Sequence, residues 1–211
     1  LVPFLTRPDL GGFFPAQYGV ITEMYAYIAF LIVILTYGFE TAFFRFSNKE
    51  GDLNGVYSTA LISLLISSVI FASGAYIFSD SISAFIGYVN NPEYVQILSL
   101  VVALDALTSI SFAKLRLQNR AARFALVKLI GIFVNIGLVL FFILYCPYAI
   151  KNDLQSSSFV STIYNSDIGI GYVFIANLVS SIITAIMLIP EMFNVVYRFN
   201  KRLWKEMFKY S

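Results

Sequence analysis

Histidine is absent from the 211 residues, cysteine occurs once, and only 12% of positions are charged. Without histidine there is no His-based zinc site and no Ser-His or Cys-His catalytic pair. The one cysteine, Cys146, has no partner within the chain for a disulfide, so it reads as a small packing residue. No basic segment precedes a short apolar core, so no signal peptide is visible. The scarcity of charge is the most informative of these. With 59% hydrophobic residues and a mean hydropathy of +0.79, the chain carries more apolar surface than a soluble domain of this size can bury.

What the sequence does have is long apolar runs: residues 20–44, 57–78, 94–113, 124–146 and 169–190. Each reaches the roughly 18 to 20 residues that cross a hydrocarbon core about 30 Å thick. Lipid offers no water to backbone groups, so such runs must be helices. The alternation of polar and apolar residues that a membrane barrel requires is missing. The expectation is therefore an all-α, polytopic transmembrane helix bundle. Leu1-Val2-Pro3-Phe4-Leu5 reads as the tail of an earlier span, which makes the five runs spans 2 to 6 and the chain a fragment. Pro15 precedes span 2, Asn91-Pro92 marks the start of span 4, and Pro147 is expected to stop span 5. Tyr18, Tyr57, Tyr88, Tyr94, Tyr145, Tyr172 and Trp204 fall near proposed edges, where headgroups favour them.

The basic residues alternate in sides with the spans. Arg7 and Lys151 fall on one side; Arg45, Lys49, Lys114, Arg116, Arg120, Arg123, Lys128, Arg198, Lys201, Arg202, Lys205 and Lys209 fall on the other. Cytoplasmic connections carry the excess of Lys and Arg, so the second group is expected in the cytoplasm. The segment 151–167, with Gln155-Ser156-Ser157-Ser158, reads as a polar external loop. Residues 1–198 are thus expected to form the bundle. Residues 199–211, with Phe199, Leu203, Met207 and Tyr210 at helical spacing, are expected to form an amphipathic cytoplasmic connector.

Ionisable groups at depth are costly and mark functional candidates. Asp105 lies about 14 Å from either end of span 4 at about 1.5 Å per residue, too deep to snorkel. Asn135 has nearly the same depth in span 5. The two are expected to share a hydrogen bond or to line one polar cavity with an ion-coupling role, or else to act as helix-to-helix glue. Glu40 and Lys128 match in depth near the basic end, which predicts an ion pair between them, as a clamp or as part of a transport path. Lys114 and Arg116 read as snorkelling residues that set orientation. Small residues in span 3 and at Gly131 and Gly137 in span 5 permit close helix contact.

At the basic end of span 2 the sequence runs Thr36-Tyr37-Gly38-Phe39-Glu40-Thr41-Ala42-Phe43-Phe44-Arg45-Phe46, preceded by Pro15-Ala16-Gln17-Tyr18-Gly19-Val20. Between spans 4 and 5 stands Leu115-Arg116-Leu117-Gln118-Asn119-Arg120-Ala121-Ala122-Arg123-Phe124, continuing to Lys128. Both stretches resemble bacterial polysaccharide biosynthesis proteins, the Wzx-like oligosaccharide flippases of the multidrug/oligosaccharidyl-lipid/polysaccharide (MATE-like) exporter superfamily. The resemblance implies two six-helix lobes around a central cavity, of which this chain is part of the first, leading into a missing second lobe. It implies a multi-pass protein of the bacterial inner membrane that transports rather than catalyses. The substrate it implies is an isoprenoid-pyrophosphate-linked oligosaccharide, with no cofactor and no nucleic-acid partner. Arg45, Arg116, Arg120, Arg123 and Lys128 are then the candidates for the pyrophosphate, and Glu40, Asp105 and Asn135 for the cavity or for Na⁺ or H⁺ coupling. A cation-coupled multidrug exporter of the same superfamily is the alternative, followed by a membrane enzyme of polysaccharide synthesis.

Overall fold

The computed structural model describes residues 15–50, 52–152 and 157–211. The remnant of span 1, Arg7 and the 153–156 part of the polar loop lie outside them. Every regular element among the described residues is helical. In chain order these are α1 (Pro15–Thr36), α2 (Phe39–Glu50), α3 (Leu53–Ile77), α4 (Ser79–Phe85), α5 (Pro92–Leu117) and α6 (Ala121–Leu140). They continue with α7 (Cys146–Lys151), α8 (Ser157–Ile163), α9 (Gly171–Met187), α10 (Ile189–Phe193) and α11 (Lys201–Tyr210).

Among the described residues, four stretches are long and apolar enough to cross a membrane: Gln17–Lys49, Leu53–Ile77, Pro92–Leu117 and Ala121–Lys151. Gly171–Met187 is a shorter apolar helix of 17 residues, about 26 Å long at about 1.5 Å per residue. It ends before Pro190, and Pro190 opens the short helix α10 instead of ending span 6. The expected helix start at Pro92 is found, with Asn91 just before it.

Spans 2 and 5 are each interrupted along their length. Span 2 breaks at Tyr37 and Gly38, which both take left-handed backbone angles, φ 34° and φ 68°. Span 5 does not stop at Pro147 but passes through a π-helical turn, Phe141–Tyr145, into α7. A proline lacks an N–H and crowds the preceding turn; the wider π turn just ahead of it absorbs that conflict and lets the helix continue.

α5 lies at the centre and touches α1, α2, α3, α4, α6 and α9. The two larger apolar clusters divide the bundle lengthwise. One joins Ile21, Met24, Tyr94, Leu98, Ile143 and Phe174. The other, at the opposite end, joins Phe39, Phe43, Tyr57, Leu64, Ile110, Met192 and Met207. The described basic residues other than Lys151 belong to the elements and connections of this second end. Between the ends, Phe30, Val33 and Ile34 of α1, Ile66, Val69 and Ile70 of α3, and Leu129 and Phe133 of α6 are exposed. Large apolar side chains more than half accessible in mid-helix are what lipid, not water, solvates.

The tail helix α11 is present. Asn200 caps it, its side-chain oxygen accepting from the N–H groups of Arg202 and Leu203 at 3.1 and 3.2 Å; such a cap contributes about 1 kcal/mol. Leu203 and Met207 are buried against the second cluster, while Arg202 and Lys205 point outward.

Candidate functional site

One face of each of three helices is polar at helical spacing, and the fold turns those faces toward one another. α5 presents Asp105, Thr108, Ser109, Phe112 and Arg116; α6 presents Phe124, Lys128, Gly131, Ile132 and Asn135; α9 presents Asn177, Ser180, Ser181 and Thr184. With Ile32 of α1 and Glu40 of α2, these line a cavity of about 440 Å³. A polar cavity inside an otherwise apolar bundle is where intramembrane ionisable groups are tolerated.

Close approach of α6 and α9 seals one wall. Ser180 donates to the Gly131 carbonyl at 2.7 Å. A Cβ at Gly131 would stand 2.9 Å from the Thr184 hydroxyl, so the glycine is what allows this distance.

Asp105 and Asn135 line the cavity together, as their equal depth predicts, but each bonds to α9. The Asp105 carboxylate accepts from Ser181 at 2.8 Å, and the Asn135 amide donates to Asn177 Oδ1 at 3.5 Å. Among the described residues Asp105 forms no salt bridge.

At the basic end the expected pair is replaced by another. Glu40 pairs with Arg116, at 2.5 Å, and not with Lys128. Arg116 reaches it because its long fork projects from the last turn of α5, opposite the start of α2. The Lys128 ammonium instead sits over the Phe112 ring, 4.2 Å from its centroid, and forms no salt bridge among the described residues. Such a contact does not neutralise the cation; the Asp105 carboxylate on the same cavity is near enough to interact with it electrostatically, without a salt bridge.

The other three basic candidates stand apart from the cavity lining. Arg45 lies over the Tyr210 ring at 4.0 Å. Arg123 donates to the Met187 carbonyl at 2.6 Å and to the Glu191 carboxylate at 3.2 Å, and Arg120 lies 3.7 Å from that carboxylate. Lys114 is buried, donates to the Glu191 carbonyl at 3.0 Å, and covers the Tyr57 ring at 4.1 Å. Lys114, Arg120 and Arg123 tie the connection between α5 and α6 to the ends of α9 and α10, where the last carbonyls of a helix attract cations.

The α9 residues escaped the sequence reading, though Asn177, Ser181 and Thr184 at intervals of four and three were the signal for one polar face. Glu191 escaped it too, because an acid after a proline at a span end reads as exposed. Cys146 is buried and free, packed with Ala149 and Val160.

An all-helical membrane bundle enclosing a two-signed polar cavity is the class these features define. The chain belongs to a polysaccharide biosynthesis protein family, whose model matches residues 13–168. It is a membrane protein of polysaccharide biosynthesis. No curated protein and no solved structure matches it. The matched stretch contains Glu40, Asp105, Arg116, Lys128 and Asn135; the α9 side of the cavity lies beyond it.

Proposed function

We propose that the chain forms part of a flippase that carries an isoprenoid-pyrophosphate-linked oligosaccharide from the cytoplasmic to the outer leaflet of a bacterial inner membrane. The observation that carries this reading is Lys128, a cation that forms no salt bridge among the described residues, at the basic end of a polar cavity, in a polysaccharide biosynthesis family. The pyrophosphate takes Lys128 and competes with Glu40 for Arg116. Deeper in the cavity, Asn135, Asn177, Ser180 and Thr184 offer the amides and hydroxyls that pair with sugar hydroxyls. A second lobe completes the path, since alternating access requires two lobes rocking against each other.

A charge-assisted hydrogen bond contributes about 1.5 to 3 kcal/mol, which is roughly tenfold or more in affinity. Lys128→Gln is therefore expected to weaken binding of the lipid-linked pyrophosphate by that factor, read as a loss of ligand-induced thermal stabilisation. Unchanged stabilisation would remove Lys128 from the site.

The second reading, cation-coupled export, is favoured by Asp105. Its carboxylate lies at mid-span beside Ser181, with Asn135 and Asn177 lining the same cavity, an oxygen-rich set suited to Na⁺ or to a proton. Under this reading Asp105→Asn abolishes the dependence of transport on the ion gradient; under the first alone it does not.

A further inference from the structure

We infer that α11 is a strap across a hinge in span 2, holding the segment that brings Glu40 to the cavity mouth. The hinge is Tyr37-Gly38. A bulky residue at positive φ is uncommon, and Tyr37 holds φ 34° beside Gly38 at φ 68°. Just before the break, Thr36 donates its hydroxyl to the Ile32 carbonyl at 2.8 Å and ends α1. Just after it, α2 carries Glu40 to Arg116. A few residues at the ends of two helices, able to absorb a backbone change, are what a hinge requires.

The strap has three attachments. On α3, the Ser58 hydroxyl accepts from Arg198 N–H at 2.7 Å, and Thr59 Oγ1 accepts from Asn200 N–H at 3.3 Å, which fixes the start of α11. On α2, Tyr210 lies under Arg45. On the hinge itself, Trp204 Nε1 donates to Ser63 Oγ at 2.8 Å, and that hydroxyl lies 2.7 Å from Tyr37 Oη. Ser63 therefore joins the tail helix and the break in one relay, and the Tyr37 ring also meets Phe208 at 5.9 Å. Gly38 lies against Ser211; a Cβ there would come within 3.1 Å of its hydroxyl. Displacing α11 frees Tyr37, lets α2 swing and alters the Glu40 side of the cavity.

The bearing of this hinge on transport rests on the flippase reading, but its test does not. The full chain, with Cys146→Ala, carries nitroxides at Asn48 on α2 and Gln118 after α5, both exposed, and is measured in lipid nanodiscs by pulsed electron resonance. The parent is expected to give one narrow distance distribution. Trp204→Phe, which keeps a ring in place, and Ser63→Ala are each expected to shift it or add a second population. Arg202→Gln, which breaks only the outward pair with Glu206 on the same helix, is expected to leave it unchanged. Distributions for Trp204→Phe and Ser63→Ala that coincide with the parent would overturn the strap, as would an equal change in Arg202→Gln. Absence of flipping by the folded parent, with the distances as expected, would leave the strap standing and count against the transport reading alone.

Discussion

Glu40 and Arg116 meet at 2.5 Å across the mouth of the cavity, joining α2 to α5. Both side chains are about two-fifths exposed, at 39% and 43%, so the pair stands in solvent and adds little to stability. Exposed pairs typically contribute about 0 to 1 kcal/mol. Glu40→Gln and Arg116→Gln are each expected to lower the melting temperature only slightly. The expected effect on substrate is opposite in sign for the two: Glu40→Gln frees Arg116 and tightens pyrophosphate binding, while Arg116→Gln weakens it. Equal weakening in both would show that the pair acts as a clamp.

The cluster at Glu191 behaves differently, because its carboxylate side chain is only 3% exposed. Removing Arg123 takes away that carboxylate's hydrogen-bonded partner, leaving Arg120 at 3.7 Å, and deprives the Met187 carbonyl of this donor. Breaking a buried pair from one side costs about 3 to 5 kcal/mol, so Arg123→Ala is expected to lower thermal stability sharply. Glu191→Gln with Arg123→Gln, which removes the carboxylate together with its hydrogen-bonded arginine, is expected to recover part of the loss, since buried Lys114 then stands without the nearby acid. A melting temperature for Arg123→Ala equal to that of the parent would mean that the cluster does not hold α10 in place.

The bundle and the cavity floor were legible for physical reasons. Runs without charge must cross lipid as helices, and Pro92 marks a helix start by its missing N–H. Asp105 and Asn135 could be placed together because depth follows from counting residues. What hid was pairing. The positive-inside pattern accounts for every basic residue without partners, so nothing in it separates Arg116, which reaches Glu40, from Arg123, which reaches Glu191. The break at Tyr37-Gly38 hid as well, since glycine is common within spans and tyrosine at positive φ has no sequence signal. Pro147 misled, because a π turn ahead of it absorbs its cost.

Orientation is open to direct measurement. In a Cys146→Ala background, a cysteine at Asp80 is expected to react with an impermeant reagent from outside intact cells. Cysteines at Asn119 and Lys205 are expected to react only after permeabilisation. The reverse pattern would invert the topology and place the mouth of the cavity at the outer face.

The most direct measurement is flipping itself. Full-length protein in proteoliposomes is supplied with an isoprenoid-pyrophosphate oligosaccharide bearing a labelled sugar, and the fraction that has crossed is read by a glycosidase that reaches one leaflet only. The account predicts that the parent equilibrates the label across both leaflets and that Lys128→Gln slows this tenfold or so, with the protein folded, in proportion to the charge-assisted bond lost. Equilibration at the parental rate in Lys128→Gln, or none in the folded parent, would contradict it.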